Sequence, residues 1–286
     1  MIAPALILRH LARPAVLAGV FAAIAPGSSR AATPPQLVLQ NGRAVPIAAV
    51  SFQNGQLLVK EPTPEFAANT AIPMAQADYV TGDKPAEINQ AIALMLTGKP
   101  RDAAKLLDPL LTQHLCTNKL PGNFWLEAAR AATIAHALDA NPKAAGDLIK
   151  AISDATPAQG TDPYYNLVRA ISQAGAAKVQ DGVDAYGVIA NDNLPADLCA
   201  YAAFFRAELL REHKRDAEAL EGYLSISCLF PSGGLTINGL ARFRAAELLV
   251  AMKRRDEALA LANSATRCVR GTAVEESLKK LLESIQ

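Results

Sequence analysis

The chain has 286 residues, of which 51% are hydrophobic, 19% charged and only 5% aromatic. That apolar content, much of it alanine, excludes a largely disordered chain and suffices for one or two packed domains. A balance of 28 Lys and Arg against 27 Asp and Glu, net +1, lacks the basic excess of a nucleic-acid-binding protein.

At the N-terminus, Arg9, His10 and Arg13 precede an apolar run from Pro14 to Ala25. Pro26 and Gly27 break the run, and Ser29 and Ala31 provide a small-x-small pair. A basic flank, a short apolar core and small residues are the layout of a secretory signal peptide over 1–31. The competing expectation is a retained anchor, although the run is short for about 30 Å of hydrocarbon. Removing 1–31 takes away three basic residues and no acidic one, which leaves 25 basic against 27 acidic. The expected setting is therefore periplasmic or secreted, with no stable membrane span in the mature chain.

Residues 36–60 carry Asn41-Gly42 and Asn54-Gly55 between apolar runs. Asn-Gly tolerates the positive φ of a hairpin turn, so the pattern predicts a three-stranded β meander at 36–40, 44–52 and 56–60. Pro46 belongs at an edge or bulge, because it has no N–H for a ladder. Residues 61–84, with Pro62, Pro64, Pro73 and Gly82, show no sustained period and read as a linker.

From residue 85 to 286 the apolar spacing is helical. Ala207–Leu220 and Ala246–Leu259 match at nine of fourteen positions at an offset of 39. Each copy is a helix, a tight basic turn and a second helix. Fainter copies lie around Gly98, around Asp139–Pro142, and between Tyr164 and Ile189. Small residues Ala103, Ala145, Ala185, Ala219 and Ala258 mark the second helices at spacings of 42, 40, 34 and 39. Thr272–Gln286 reads as an amphipathic cap.

Helical hairpins with these small positions resemble tetratricopeptide repeats, whose period is about 34. The matches include Ala207 and Ala246, with Leu210 and Leu249 a turn later, and the five alanines of the second helices. The aromatic early in the first helix is mostly missing, and the turn glycine survives only as Gly98. The resemblance implies a mostly α fold, a TPR-like right-handed α–α solenoid preceded by the β meander. It also implies a concave face lined by first helices. Registering the copies places Glu127, Arg130, Tyr201, Phe204, Glu208, Arg211, Phe243 and Glu247 there, an aromatic floor suited to an extended or helical peptide. The competing expectation buries the three aromatics between repeats.

The chemistry-bearing residues are sparse. His10, His114, His136 and His213 show no metal-ligand spacing, and there is no nucleophile elbow or phosphate loop. No cofactor or metal is expected. Four cysteines remain, and Cys199 and Cys228 lie equally far from the turn at 213–214, which motivates a disulfide between them; buried thiols are the alternative. The function expected is non-catalytic: binding a protein or peptide, or scaffolding, in the envelope or secreted space. The rivals are an oligomerising structural subunit and an enzyme with a site at the β–helix junction. Cleavage is expected after Ala31. N-terminal sequencing of the exported protein should then begin at Ala32, and a retained Met1 would support the anchor instead.

Overall fold

The computed structural model describes residues 32–157, 162–175, 178–191 and 193–285. The expected signal peptide lies outside these residues. From Thr33 onward the chain is one compact unit.

Its first part holds six short strands: β1 (Gln36–Leu39), β2 (Ala44–Pro46), β3 (Val50–Gln53), β4 (Gln56–Val59), β5 (Ala71–Pro73) and β6 (Ala77–Thr81). They form two antiparallel sheets, ordered β2-β1-β6 and β3-β4-β5. Asn54 and Gly55, at φ 50° and 76°, make the two-residue turn that the sequence announces.

Two expectations need correction. The strand foreseen at 44–52 breaks after Pro46 into a 3-10 turn at Ile47–Ala49, and its halves enter different sheets. Residues 61–84 are not merely a linker, because they supply β5 and β6, and β6 pairs with β1. Pro73 repeats the device of Pro46, with nearly the same backbone angles and a following 3-10 turn at Met74–Gln76.

The two halves correspond. Gln36–Leu39 and Gln56–Val59 are both Gln-Leu followed by two branched apolar residues, and Ala44–Pro46 matches Ala71–Pro73. Each half gives two strands to one sheet and its third to the other, so the sheets are interlocked. Leu37, Val45, Ile47, Leu57, Val59 and Ile72 fill the space between them.

Eleven helices follow among the described residues: α1 (Ala86–Leu96), α2 (Pro100–His114), α3 (Trp125–Leu138), α4 (Pro142–Ala155), α5 (Tyr164–Ala174), α6 (Val179–Asn191), α7 (Ala196–Glu212), α8 (Asp216–Leu229), α9 (Leu235–Ala251), α10 (Arg255–Ala265) and α11 (Glu275–Ile285). The first ten pair as five antiparallel hairpins in sequence order, and α11 covers α10. The odd-numbered helices pack successively on one another, and α9 packs back on α1. Their contacts thus make a closed circuit, and all the hairpins share one hydrophobic core.

The close-approach residue is the fourth of each outer helix: Ala103, Ala145, Ala219 and Ala258, all fully buried. In α6 that position is Gly182 rather than Ala185. A Cβ on Gly182 would lie 2.9 Å from a Leu209 methyl and 3.1 Å from Ala174 Cβ. The smallest side chain had replaced the alanine that the register followed.

The expected disulfide is absent: Cys199 and Cys228 are not joined. Cys199 is buried at the start of α7, with its Sγ 3.5 Å from the Ile189 carbonyl oxygen, and Cys228 is exposed late in α8. Equal distance from a turn sets height along two helices but not the direction each side chain faces.

Gly239 in α9 makes a second close approach, since a Cβ there would sit 2.4 Å from Cys268 Cβ. Gly239→Ala should destabilise the protein by about 1–3 kcal/mol in urea unfolding. Gly146→Ala, on an exposed helical site with open space around it, should stabilise by about 0.5–1 kcal/mol. An unchanged midpoint for Gly239→Ala would show that α9 is not pressed against residues 268–269.

Candidate functional site

A proline stands ahead of every inner helix. Pro85, Pro163 and Pro195 directly precede α1, α5 and α7, and Pro121 and Pro231 lie in the loops leading to α3 and α9. Proline stops the preceding segment and admits a new helix. Because the inner helices close into a circuit, their starts converge around a cavity of about 540 Å³.

Arg130, Tyr164, Asp197 and Tyr201 contribute to its lining, as do the Lys84–Glu127 pair and the loop from Ser232 to Ile237. Arg130 grips Asp162, which is fully buried, with Nη2 at 2.8 Å and Nε at 3.3 Å from Oδ2. The other oxygen of Asp162 accepts the Tyr164 backbone N–H at 3.0 Å. The Arg130 guanidinium also lies 5.0 Å from the Tyr164 ring centroid. Tyr164 donates its hydroxyl to Asp197 Oδ2 at 2.7 Å. Lys84 Nζ reaches Glu127 Oε1 at 2.8 Å on the more exposed side.

Tyr201 packs edge-on against Tyr164, with ring centroids 6.4 Å apart. The residue is only 6% exposed, and it lines the cavity with no hydrogen-bond partner for its hydroxyl among the described residues. Burial first, and then the charges of Glu127 and Asp197, push its phenol well above the usual tyrosine range. Tyr164 is raised in the same direction by burial and by Asp197, with Arg130 opposing.

Of the residues registered on a concave face, the structure brings Glu127, Arg130 and Tyr201 to this cavity. The others lie elsewhere, and the aromatic floor is not open. Phe204 is fully buried against Tyr223, and Phe243 is 4% exposed. Glu208 is the hub of a separate network. It accepts Arg211 Nη2 at 2.6 Å, the Tyr223 hydroxyl at 2.7 Å and Arg244 Nε at 3.0 Å. Arg244 also holds Glu247 at 2.8 Å. Arg211 is thus paired with Glu208 within α7 rather than a free surface charge. The closure of the inner helices turns what would be a groove lining into interior.

Lys84, Asp162, Tyr164 and Asp197 carry no site signal in the sequence, and Ser232-Gly233-Gly234 reads there only as a connection between repeats. The prolines before each inner helix were the available signal. The alanines that mark the repeat lie on the outer helices and carry no information about those starts.

No histidine lines the cavity. His136 Nε2 pairs with Asp108 Oδ1 at 3.1 Å on the outer side, and His114 is buried at the end of α2. Among the described residues no group of three or more His, Cys, Asp and Glu is placed to hold a metal ion, and no helix is long and apolar enough to cross a membrane. The β–helix junction is an apolar seam in which Leu120 and Phe124 pack on the sandwich core. The chain matches no protein-family model, and comparison with curated proteins and with solved structures gives no match.

The Arg130–Asp162 pair is desolvated, so removing one partner strands a buried charge. Arg130→Met should lower stability by about 3–5 kcal/mol. Adding Asp162→Asn, which keeps an acceptor for the Tyr164 N–H, should recover most of the loss in thermal or urea unfolding. If Arg130→Met alone is as stable as the parent, the pair is not a buried one.

Proposed function

We propose that the chain is a non-catalytic recognition module of the envelope or secreted space, built from TPR-like helical hairpins. It holds a segment of a partner polypeptide at the cavity where the inner helices begin. The observation that carries this reading is Tyr201, whose ring is buried while its hydroxyl, on a residue that lines the cavity, has no hydrogen-bond partner among the described residues. A polar group with open hydrogen-bonding capacity at the wall of an otherwise apolar-lined cavity is a place for a ligand atom.

Three further features support the reading. The side chains around Tyr201 are held by one another, which preorganises the site and limits the entropy lost on binding. Leu235 stands 75% exposed at the rim, an apolar contact for whatever approaches. The N-terminal segment supports export, and the near-neutral charge suits a protein partner rather than a polyanion.

The test plugs the mouth. Ser232 is an exposed residue of the rim, where substitutions usually shift stability by less than about 0.5 kcal/mol. Ser232→Trp should leave the melting curve in place and abolish capture of the partners that the parent protein retains from its own envelope fraction. Equal capture by the folded variant would remove the cavity from the binding surface.

A further inference from the structure

The cavity carries an imbalance of charge. Arg130 is committed to Asp162, and Lys84 to one oxygen of Glu127. Asp197 also faces this space, and among the described residues no cation pairs with it; its only side-chain donor is the Tyr164 hydroxyl on Oδ2. Three acceptors are therefore left without a donor: Asp197 Oδ1, Glu127 Oε2 and the Tyr201 hydroxyl oxygen. Asp197 and Tyr201 are four residues apart on α7, one turn above the other on the same face. Ile92, Leu126 and Ile237 give the same cavity apolar wall.

We propose that this cavity receives a lysine side chain of the partner polypeptide, its ammonium at Asp197, Glu127 and Tyr201 and its methylene stem along Ile92, Leu126 and Ile237. The inference rests on the recognition reading above and adds the chemistry that is recognised. An ammonium brings three donors, equal to the acceptors left open. The faces of Tyr164 and Tyr201 add attraction for a cation. The carboxylate charges that act on Tyr201 mark the same region as one that disfavours a second anion. Arginine fits less well. Its fork prefers two oxygens of one carboxylate, and both carboxylates here already have one oxygen occupied, by Tyr164 and by Lys84.

The experiment is isothermal titration of the exported chain with blocked pentapeptides that differ only at the central residue: lysine, acetyl-lysine, norleucine, arginine or glutamate. Cadaverine serves as a free diamine. The lysine peptide should bind about tenfold or more tighter than the acetyl-lysine and norleucine peptides, and tighter than the arginine peptide. Asp197→Asn should erase that preference, and Glu127→Gln should reduce it by a few-fold. Should Asp197→Asn fail to fold by circular dichroism, Tyr201→Phe removes a single acceptor and should weaken lysine binding by about two- to tenfold. Equal binding of lysine and norleucine, preference for glutamate, an undiminished preference in Asp197→Asn, or no binding by any probe overturns the proposal. If cadaverine binds far more tightly than the lysine peptide, the ammonium site stands but the polypeptide partner does not. If Ser232→Trp abolishes partner capture while the peptides show no lysine preference, the recognition reading stands and this inference fails.

Discussion

The inner helices close on themselves, and α9 can pack on α1 only if helix axes approach closely at every step around the circuit. Interaxial distance is set by the side chains at the contact, so the inward positions must be small. Ala91, Ala129, Ala132, Ala200, Ala241 and Ala245 are all fully buried on these helices. The same requirement explains the alanine-rich, aromatic-poor composition. At some approaches even a methyl group is too large. A Cβ on Gly233 would lie 2.7 Å from Ala200 Cβ and 2.8 Å from the Ala196 carbonyl oxygen. That contact presses the loop before α9 against the start of α7, and the two together form one wall of the cavity. The cavity is thus a consequence of closure.

The hairpins and their order were legible in the sequence because a helical hairpin is a local object. Apolar spacing, small positions and turn residues all lie within about 40 residues of one another. Closure is not local. Nothing in the spacing of Ala207 and Ala246 says that α1 meets α9, since that contact joins opposite ends of the helical region. Of the two expectations for Tyr201, Phe204 and Phe243, burial between repeats is the one that holds, because an inner face is a groove in an open array and a core in a closed one. The weakest copy misled in a smaller way: the register followed Ala185, whereas Gly182, the smaller residue, makes the helix contact.

The β region shows a different limit. Asn54-Gly55 was readable because a two-residue turn carries its signature in two adjacent residues. The exchange of strands was not, because Pro46 and Pro73 look like strand breakers and act as switch points. Each ends one strand with backbone angles of −58° and 131–132°, and the following 3-10 turn carries the chain to the other sheet. Interlocking gives two three-stranded sheets a shared core, which neither would have alone. The sandwich then seals to the helices where the Val80 N–H reaches the Pro121 carbonyl oxygen at 2.9 Å, one residue before Gly122. A Cβ at Gly122 would come within 2.5 Å of the Val80 carbonyl oxygen, so this junction too depends on a missing side chain.

Charge in the interior follows a stricter rule than on the surface. Among the described residues several ion pairs are exposed i,i+3 pairs on helix surfaces, such as Arg254–Glu257, and these contribute little. Arg130–Asp162 and the cluster around Glu208 are different, because desolvation makes an unmatched member costly. Both connect separate hairpins: Arg130 ties α3 to the segment before α5, and Arg244 ties α9 to α7. Geometry rather than net energy is what such links provide, since they reward one relative placement of the helices and penalise others. The link at Arg130 holds Tyr164 through its backbone N–H, and Tyr164 in turn orients Asp197. A buried ion pair beneath the cavity therefore sets the position of the carboxylate within it, and the rigidity needed for recognition is built into the same contacts that align the hairpins.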